Sequence, residues 1–370
     1  MLFFYGLVLC LEVCFPAFYL QKMRERTCCL LGSDRVTFSV IVPVFNVESY
    51  LSACLESILP ALTAADEIIL SLGHSADDST AIAERCTRQH ANIHLLWQDG
   101  KGLSNARNCA VREARGTYVL YIDSDDLVDT ALFAHALQGI REDTAPKELY
   151  VFDFYHDNRR TGCLEPRFQI GAGGDFQGVA HIDRMLRRHQ CFWNVWRFIY
   201  RRDFLERNGI TFLENRMSED MDYTTSVLLA QPDAAFYHTP YYRYAVGRGT
   251  SLMDRPTLRR LEDTVFVLER SIRRLREAAL PYSDCVTAQL QFEYVLNMAQ
   301  IYEIPAADRT AGRQLFANAR EILSGGRDRL VRLLRLLLRL TGLTATAYLL
   351  HTAKKLRLSL IHISEPTRPY

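Results

Sequence analysis

Four short apolar runs alternate with helical segments in the first third of the chain, and this alternation constrains the fold most strongly. The runs are Phe38–Phe45, Glu67–Leu72, Asn92–Trp97 and Thr117–Ile122. A short, nearly continuous apolar run is typical of a parallel strand that is covered on both faces. Repeated strand–helix units predict a parallel sheet with right-handed crossovers. We therefore expect an α/β fold built on a Rossmann-like, mostly parallel nucleotide-binding sheet.

The fourth run ends in a cluster of acids, Asp123, Asp125 and Asp126. Like charges this close repel each other, and each loses hydration if it is partly buried. Mg²⁺ or Mn²⁺ relieves that cost, because such a cation binds carboxylate oxygens and keeps positions open for substrate phosphates. Ligands of open α/β sheets bind at the carboxyl ends of the strands. The cluster therefore predicts a metal–diphosphate site, and a solvated surface turn is the alternative.

Composition narrows the partners and cofactors. The net charge of +1 gives no global field that would select nucleic acid, so we expect no nucleic-acid partner. A dinucleotide-binding G-x-G-x-x-G does not follow the first strand, and no P-loop sequence occurs. The 10 cysteines form no C-x-x-C pair, which argues against a zinc site or a disulfide framework and favours a reducing compartment.

The second half of the chain is less regular. Strand-like runs occur at Glu148–Tyr155 and Tyr237–Tyr244, and Met217–Tyr223 opens a helix. The aromatic segment Phe192–Phe204 fits a core packing role better than a ligand platform. From Arg255 onward the pattern is helical, with breaks at Pro281, Pro305 and Gly325-Gly326.

The helical region contains a cationic amphipathic segment, Arg329–Leu340. Its arginines fall on one helical face and its leucines on another, which suits a helix lying in an anionic membrane surface. The alternative is a leucine face that packs on the core. The apolar start, Met1–Leu20, is a borderline membrane span or the product of a start codon assigned too early, with Met23 as the true start. Leu358–Tyr370 resembles translated sequencing adapter, and we expect it to lie outside the fold.

Several motifs in order along the chain resemble the family-2-type inverting glycosyltransferases, which have a GT-A fold. The resemblance covers about Val36–Leu252. Its motifs are the Ser39–Asn46 strand with Glu48, Gly102–Asn108, Tyr121–Asp126, Trp196 with Tyr200–Asp203, Glu219-Asp220 and Arg248–Ser251. Together, in this order and spacing, they are specific for the family and not for the sugar.

The resemblance implies a nucleotide-sugar donor, usually a UDP-sugar, with Mg²⁺ or Mn²⁺ and a glycan or lipid-linked hydroxyl acceptor. Asp220 would be the general base, with Glu219 or Asp222 as alternatives. Asp125 and Asp126 would hold the metal. The donor would be bound by residues from several loops, namely Pro43, Phe45, Glu48, Gly73, Lys101, Arg107, Asp123 and Arg248. Arg107 has an alternative role as a buried structural arginine, and charge at a helix N-terminus is the alternative for Asp220.

This interpretation divides the chain into five parts: 1–35, a possible anchor; 36–130, the nucleotide-sugar-binding half of a GT-A domain; 131–254, its acceptor-binding half; 255–357, a helical region with a membrane-surface helix; and 358–370, the adapter-like tail. We expect the protein at the cytoplasmic side of the membrane, either peripheral or anchored through its N-terminal segment.

The sequence departs from the family pattern at the position where family members recognise the nucleotide base. Family members usually carry two acids after the second strand, where this chain has Ser71-Leu72 before Gly73. Base recognition would then use His74, Asp77 or backbone groups. The remaining alternatives are a catalytically decayed relative, a sugar nucleotidyltransferase and a non-enzymatic scaffold.

Overall fold

The computed structural model describes residues 36–167, 176–177, 193–247, 256–326 and 328–363. Ten strands within these ranges form one sheet. They are β1 (Phe38–Val44), β2 (Glu67–Leu72), β3 (Ile93–Trp97), β4 (Tyr118–Tyr121), β5 (Leu127–Val128), β6 (Leu149–Asn158), β7 (Cys163–Arg167), β8 (Phe176–Gln177), β9 (Phe198–Arg201) and β10 (Ala234–Val246).

Helices connect and cover these strands. They are α1 (Leu51–Ile58), α2 (Ser79–Gln89), α3 (Gly102–Glu113), α4 (Thr130–Glu142), α5 (Arg202–Arg207), α6 (Glu219–Leu229), α7 (Leu258–Ala278), α8 (Ser283–Ala299), α9 (Arg309–Asn318) and α10 (Arg329–Ile363). Short 3-10 turns occur at Leu59–Ala61, Val195–Arg197, Gln300–Tyr302, Ala306–Asp308 and Arg320–Leu323.

The sheet has a parallel core and a mixed second half. Its order is β3-β2-β1-β4-β9-β6-β10-β5, and the first four of these strands are parallel. β9 lies between β4 and β6 and is antiparallel to both. The predicted α/β fold with a mostly parallel core is thus confirmed, and the carboxyl ends of β1, β2, β3 and β4 lie along one edge.

The sheet separates two apolar cores. Alternate residues of β1 show the division, because Val40 and Val42 belong to one core and Ile41 to the other. All seven residues of β1 are buried, as expected for a strand with helices over both faces. The aromatic segment also behaves as predicted: Trp196 and Tyr200 are buried core residues.

The predicted helical C-terminal region is confirmed in α7–α10. Pro281, Pro305 and Gly325 lie between successive helices, as the breaks in the pattern indicated. α10 is kinked at Gly342, whose φ of 74° and ψ of 170° are not helical. Its second part continues through Ile363, so residues 358–363 extend a helix where we expected a segment outside the fold. Residues 1–35 lie outside the described residues, so the predictions for Met1–Leu20 and for a start at Met23 are not tested by the structure.

Candidate active site

A buried arginine joins the central strand to a distant helix. Arg107 lies on α3 and is 1% exposed. Its Nη2 donates to Asp123 Oδ1 at 2.8 Å, just beyond the end of β4, and its Nη1 donates to Asp220 Oδ1 at 3.0 Å on α6. Glu219 Oε1 lies 3.4 Å from the same Nη1. One cation therefore brings together three acids from segments about a hundred residues apart.

The surroundings of Arg107 are aromatic. Its guanidinium carbon lies 5.0 Å from the ring centre of Phe212 and 5.8 Å from that of Tyr121. Burial would lower the pKa of Arg107, but Asp123, Asp220 and Glu219 together raise it above its ordinary value. Arg107 is therefore a permanent cation whose charge is held in place by carboxylates.

Asp220 combines the features of a proton acceptor. Its side chain is partly exposed, and burial of the carboxyl group together with repulsion by Glu219 raises its pKa well above the ordinary value. The charge of Arg107 opposes that rise. A carboxylate with a raised pKa is a better base at neutral pH than an ordinary aspartate.

The segment before α6 is held by α7. Ser218, which precedes Glu219, has a φ of +65°, in the left-handed region that few non-glycine residues adopt. Its hydroxyl lies 2.8 Å from that of Thr264, and the amide of Met217 donates to Asp263 Oδ2 at 3.2 Å. These bonds fix the direction in which the first turn of α6 presents its acids.

The three acids of α6 do not share one environment. Asp222 is buried and accepts a hydrogen bond from Arg270 Nε at 2.9 Å, so it faces α7. Residues two positions apart lie on nearly opposite faces of a helix, which explains the separation from Asp220. Glu219 and Asp220 alone of these acids lie on the side of Arg107.

The acids after β4 also diverge. Asp126 is 1% exposed; its oxygens accept hydrogen bonds from the hydroxyl of Tyr242 and the amide of Ala245, each at 2.8 Å. Burial, and then repulsion by Asp123 and Asp125, raise the pKa of Asp126 well above its ordinary value. Tyr242 also accepts from the amide of Asp123 at 3.2 Å. Asp126 thus links the tip of β4 to β10, whereas we expected it beside the metal. Asp125, by contrast, is only partly buried.

The donor atoms at this tip fit a hard divalent cation that is shared with a ligand. In the described ranges, no group of three or more His, Cys, Asp or Glu side chains could hold a metal ion by protein ligands alone. Asp125 and Asp123 nevertheless offer carboxylate oxygens at the strand end, and Mg²⁺ is commonly bound by one or two carboxylates plus substrate phosphates. The chemistry of these oxygen donors therefore suits Mg²⁺ or Mn²⁺.

The exits of β1 and β2 lie side by side. Pro43 is buried within β1 opposite Ser71 of β2, so it supports the edge from inside. Phe45 is 60% exposed, and a Cβ atom at Gly73 would come within 3.0 Å of its ring. Glu48 accepts from the amide of Asp78 at 2.9 Å and thereby links the two exit loops.

An aromatic pair, His74 and Trp97, completes this edge. His74 stacks on Trp97 at the end of β3, with ring centres 5.1 Å apart and planes at 27°. Trp97 is 49% exposed. Asp77, by contrast, is occupied within the protein: it accepts from the amide of Glu48 and from both the amide and the hydroxyl of Ser79. These bonds lower its pKa.

Of the two remaining residues predicted to bind the donor, the structure describes Lys101 but not Arg248. Lys101 is exposed and directly precedes α3, on the loop that follows β3. Arg248 lies outside the described residues. Two residues that contribute to the candidate site were not predicted. Tyr242 had no local signal, because its partner Asp126 is 116 residues away in the sequence. Trp97 could have been found from its position as the last residue of an apolar run.

Comparisons with known proteins show which sequences and folds this chain resembles. A sequence model of the family described as Glycosyl transferase family 2 matches residues 39–206. The uncharacterized glycosyltransferase EpsJ of Bacillus subtilis is 33% identical over 193 residues, which span 51% of this chain and 55% of EpsJ. The minor teichoic acid biosynthesis protein GgaB of the same species is 27% identical over 222 residues, or 58% of this chain and 24% of GgaB.

A solved structure resembles the fold over a greater length. The structure of residues 1–349 of S. aureus TarS, in complex with UDP-GlcNAc, has a TM-score of 0.68 and 18% identity, and the match covers 86% of this chain and 91% of that one. At this identity the likeness establishes the fold. Residues 39–206, which supply Arg107 and the acids after β4, thus belong to glycosyl transferase family 2, and the chain has the GT-A fold.

Proposed function

We propose that this protein transfers a sugar from a nucleotide-sugar, of the UDP class, to a hydroxyl of a glycan or lipid-linked acceptor, with inversion, in the synthesis of a cell-surface polysaccharide. The observation that carries the proposal is the Arg107 cluster, in which one guanidinium group binds both Asp220 and Asp123 at the tip of β4. The name of GgaB and the UDP-GlcNAc complex of TarS support the pathway and the donor class.

In this proposal Asp220 is the general base. The acceptor oxygen attacks the anomeric carbon as the bond from that carbon to the phosphate oxygen of the donor breaks, and Asp220 takes the hydroxyl proton. The nucleoside diphosphate leaves with the bonding electron pair. A single in-line displacement inverts the anomeric centre. Asp220 suits this role better than Glu219, because it is the more exposed of the two.

Arg107 acts here as a positioning residue and not as a donor-binding one. Its 1% exposure leaves little surface for a ligand, while its two Nη atoms fix Asp123 and Asp220 relative to each other. Asp126 likewise positions the strand tip through Tyr242. Asp125, with Asp123 beside it, would hold Mg²⁺ or Mn²⁺. When bound, the cation would offset the charge that develops on the departing diphosphate.

The exposed aromatic edge supplies a surface for the nucleotide base. Phe45 and Trp97 are large rings that are about half exposed at the ends of β1 and β3, and His74 stacks against Trp97. Stacking on aromatic rings accepts any base, which is consistent with the absence of acids at Ser71-Leu72. Asp77 is less suited to this role, since its oxygens already hold the two exit loops together. Glu48, Gly73 and Lys101 border the same edge.

We expect Asp125→Ala to abolish metal-dependent binding of the donor. The variant removes an oxygen donor for the cation while the Arg107 cluster stays intact. Isothermal titration with UDP, in the presence of Mn²⁺ and in EDTA, measures the effect. Wild-type protein should bind more tightly with Mn²⁺, and the variant should bind equally weakly in both conditions.

Glu113→Ala is the matched control, because Glu113 is an exposed carboxylate at the end of α3. It should retain the response to Mn²⁺. Absence of UDP, GDP and CMP binding by the wild type would favour a scaffold protein, and binding without donor hydrolysis or transfer would favour a decayed relative. Formation of a nucleotide-sugar from a nucleoside triphosphate would instead indicate a nucleotidyltransferase.

We also propose that α10 lies on the membrane surface. Its leucines divide between two environments: Leu334 is buried against the main core, whereas Leu333, Leu336 and Leu340 are more than half exposed, at helical spacing. Core packing thus accounts for one face of the helix, and the exposed leucines support the proposal of membrane contact for the other. Val331–Leu356 is by length and composition apolar enough to cross a membrane. Packing of one face on the core favours a surface position at the cytoplasmic leaflet.

Leu340→Ser is expected to weaken binding to anionic vesicles about tenfold or more, because burial of a leucine side chain contributes roughly 1.5–3 kcal/mol. Co-sedimentation with vesicles of mixed anionic and zwitterionic lipid measures the effect. The control is Leu296→Ser, an exposed leucine on α8. Equal binding by both variants and the wild type would show that α10 does not contact the lipid.

A further inference from the structure

A cavity of about 300 Å³ lies behind α6, on the side away from Arg107. Its walls come from α6, from α7 and from the segment Asn208–Thr211. The charged groups in its lining are Arg270 and Arg274 of α7 and Asp222 of α6. The proposed reaction does not use any of these groups, so the cavity is distinct from the candidate active site.

The two arginines are incompletely neutralised. Arg270 Nε donates to Asp222 Oδ1 at 2.9 Å, but Arg274 lies 3.6 Å from that oxygen and donates instead to the neutral hydroxyl of Ser226 at 3.0 Å. Asp222 is the only acid among the described residues that line the cavity, so the lining carries two positive charges and one negative charge.

The burial of these side chains also leaves positive charge more accessible than negative charge in the cavity. Asp222 is almost fully buried, whereas both guanidinium groups are partly exposed, with side-chain exposures of 39% for Arg270 and 28% for Arg274. Burial lowers the pKa of Arg274, Asp222 opposes that effect, and repulsion by Arg270 adds to it. An anion that entered the cavity would relieve this repulsion, and the fork of a guanidinium group matches the oxygens of a phosphate.

We propose that this cavity binds a phosphoryl group through Arg270 and Arg274. Its volume is at the lower end of the range for small-molecule sites, which suits inorganic phosphate or a sugar phosphate better than a nucleotide. Asp222 holds Arg270 in place and limits the affinity, since its charge competes with that of the ligand. The proposal does not depend on the proposed transferase activity.

The test is a titration of the full chain with inorganic phosphate, with ionic strength held constant by KCl, followed by calorimetry and by the melting temperature. The wild type should show saturable binding. Arg274→Gln should weaken binding by about tenfold or more, because it removes a charge-assisted hydrogen bond. Arg273→Gln, an exposed arginine on the same helix, should bind like the wild type.

Asp222→Asn provides a result of opposite sign and keeps the test informative if Arg274→Gln does not fold. It removes the competing negative charge, so phosphate should bind several-fold more tightly than to the wild type. A second arm with glucose 1-phosphate distinguishes a free ion from a phosphorylated sugar. Absence of saturable binding by the wild type, equal effects of the Arg274 and Arg273 variants, or weaker binding by Asp222→Asn would each overturn the proposal.

Discussion

Asp220→Asn should lower kcat by about 10²–10⁴-fold, the usual contribution of a positioned general base. The amide keeps the shape of the side chain and can still accept a hydrogen bond from Arg107, but it cannot take the proton of the acceptor hydroxyl. Donor binding should therefore change little. Steady-state transfer assays give kcat, and isothermal titration with the nucleotide gives the affinity.

The neighbouring acids on α6 are matched controls. Asp222→Asn changes an acid two residues away that faces Arg270, so most of the activity should remain. Glu219→Gln tests the alternative base directly. A loss of kcat in Glu219→Gln as large as that expected for Asp220→Asn, with Asp220→Asn still active, would transfer the role to Glu219.

The pH dependence of kcat should reflect the ionisation of Asp220. Burial and Glu219 raise the pKa of Asp220 well above its ordinary value. A base must be ionised to act, so kcat should rise with pH as Asp220 loses its proton, at a higher pH than for an ordinary aspartate. This rising limb should be absent from the residual activity of Asp220→Asn.

Arg107→Leu should reduce the free energy of unfolding by about 3–5 kcal/mol at neutral pH, as expected when one partner of a buried ion pair is removed. The leucine leaves Asp123, Glu219 and Asp220 facing one another without a cation. Urea unfolding followed by circular dichroism measures the loss. Arg112→Leu on the same helix breaks an exposed pair with Asp99 and should cost far less, because water and salt screen exposed ion pairs.

The cost of Arg107→Leu should fall as the pH is lowered. The folded-state pKa of Asp220 is already raised in the wild type, and without Arg107 it rises further. An acid whose pKa is higher in the folded state binds its proton more readily there, so its destabilising effect is complete above the folded pKa and disappears below the unfolded one. An equal cost at all pH values would show that lost packing, and not charge, causes the effect.

Local sequence patterns were sufficient for the four parallel strands and for the sheet edge that carries the candidate site. Apolar runs of the length of a strand predicted β1, β2, β3 and β4, because a strand buried on both faces needs little more than continuous apolar residues. The acids after Ile122 follow directly from the end of such a run. The breaks at Pro281, Pro305 and Gly325 likewise separate helices for local reasons of backbone geometry.

The tertiary structure decided which side chains meet. The sequence could not show that Asp126 turns inward, because Tyr242 reaches it only through the packing of β10 beside the tip of β4. Nor could it separate Asp220 from Asp222, since the rotation of α6 depends on bonds from α7 to the preceding loop. Helical and strand periods specify which residues share a face, but the partner of that face depends on contacts across more than a hundred residues, which no local pattern encodes.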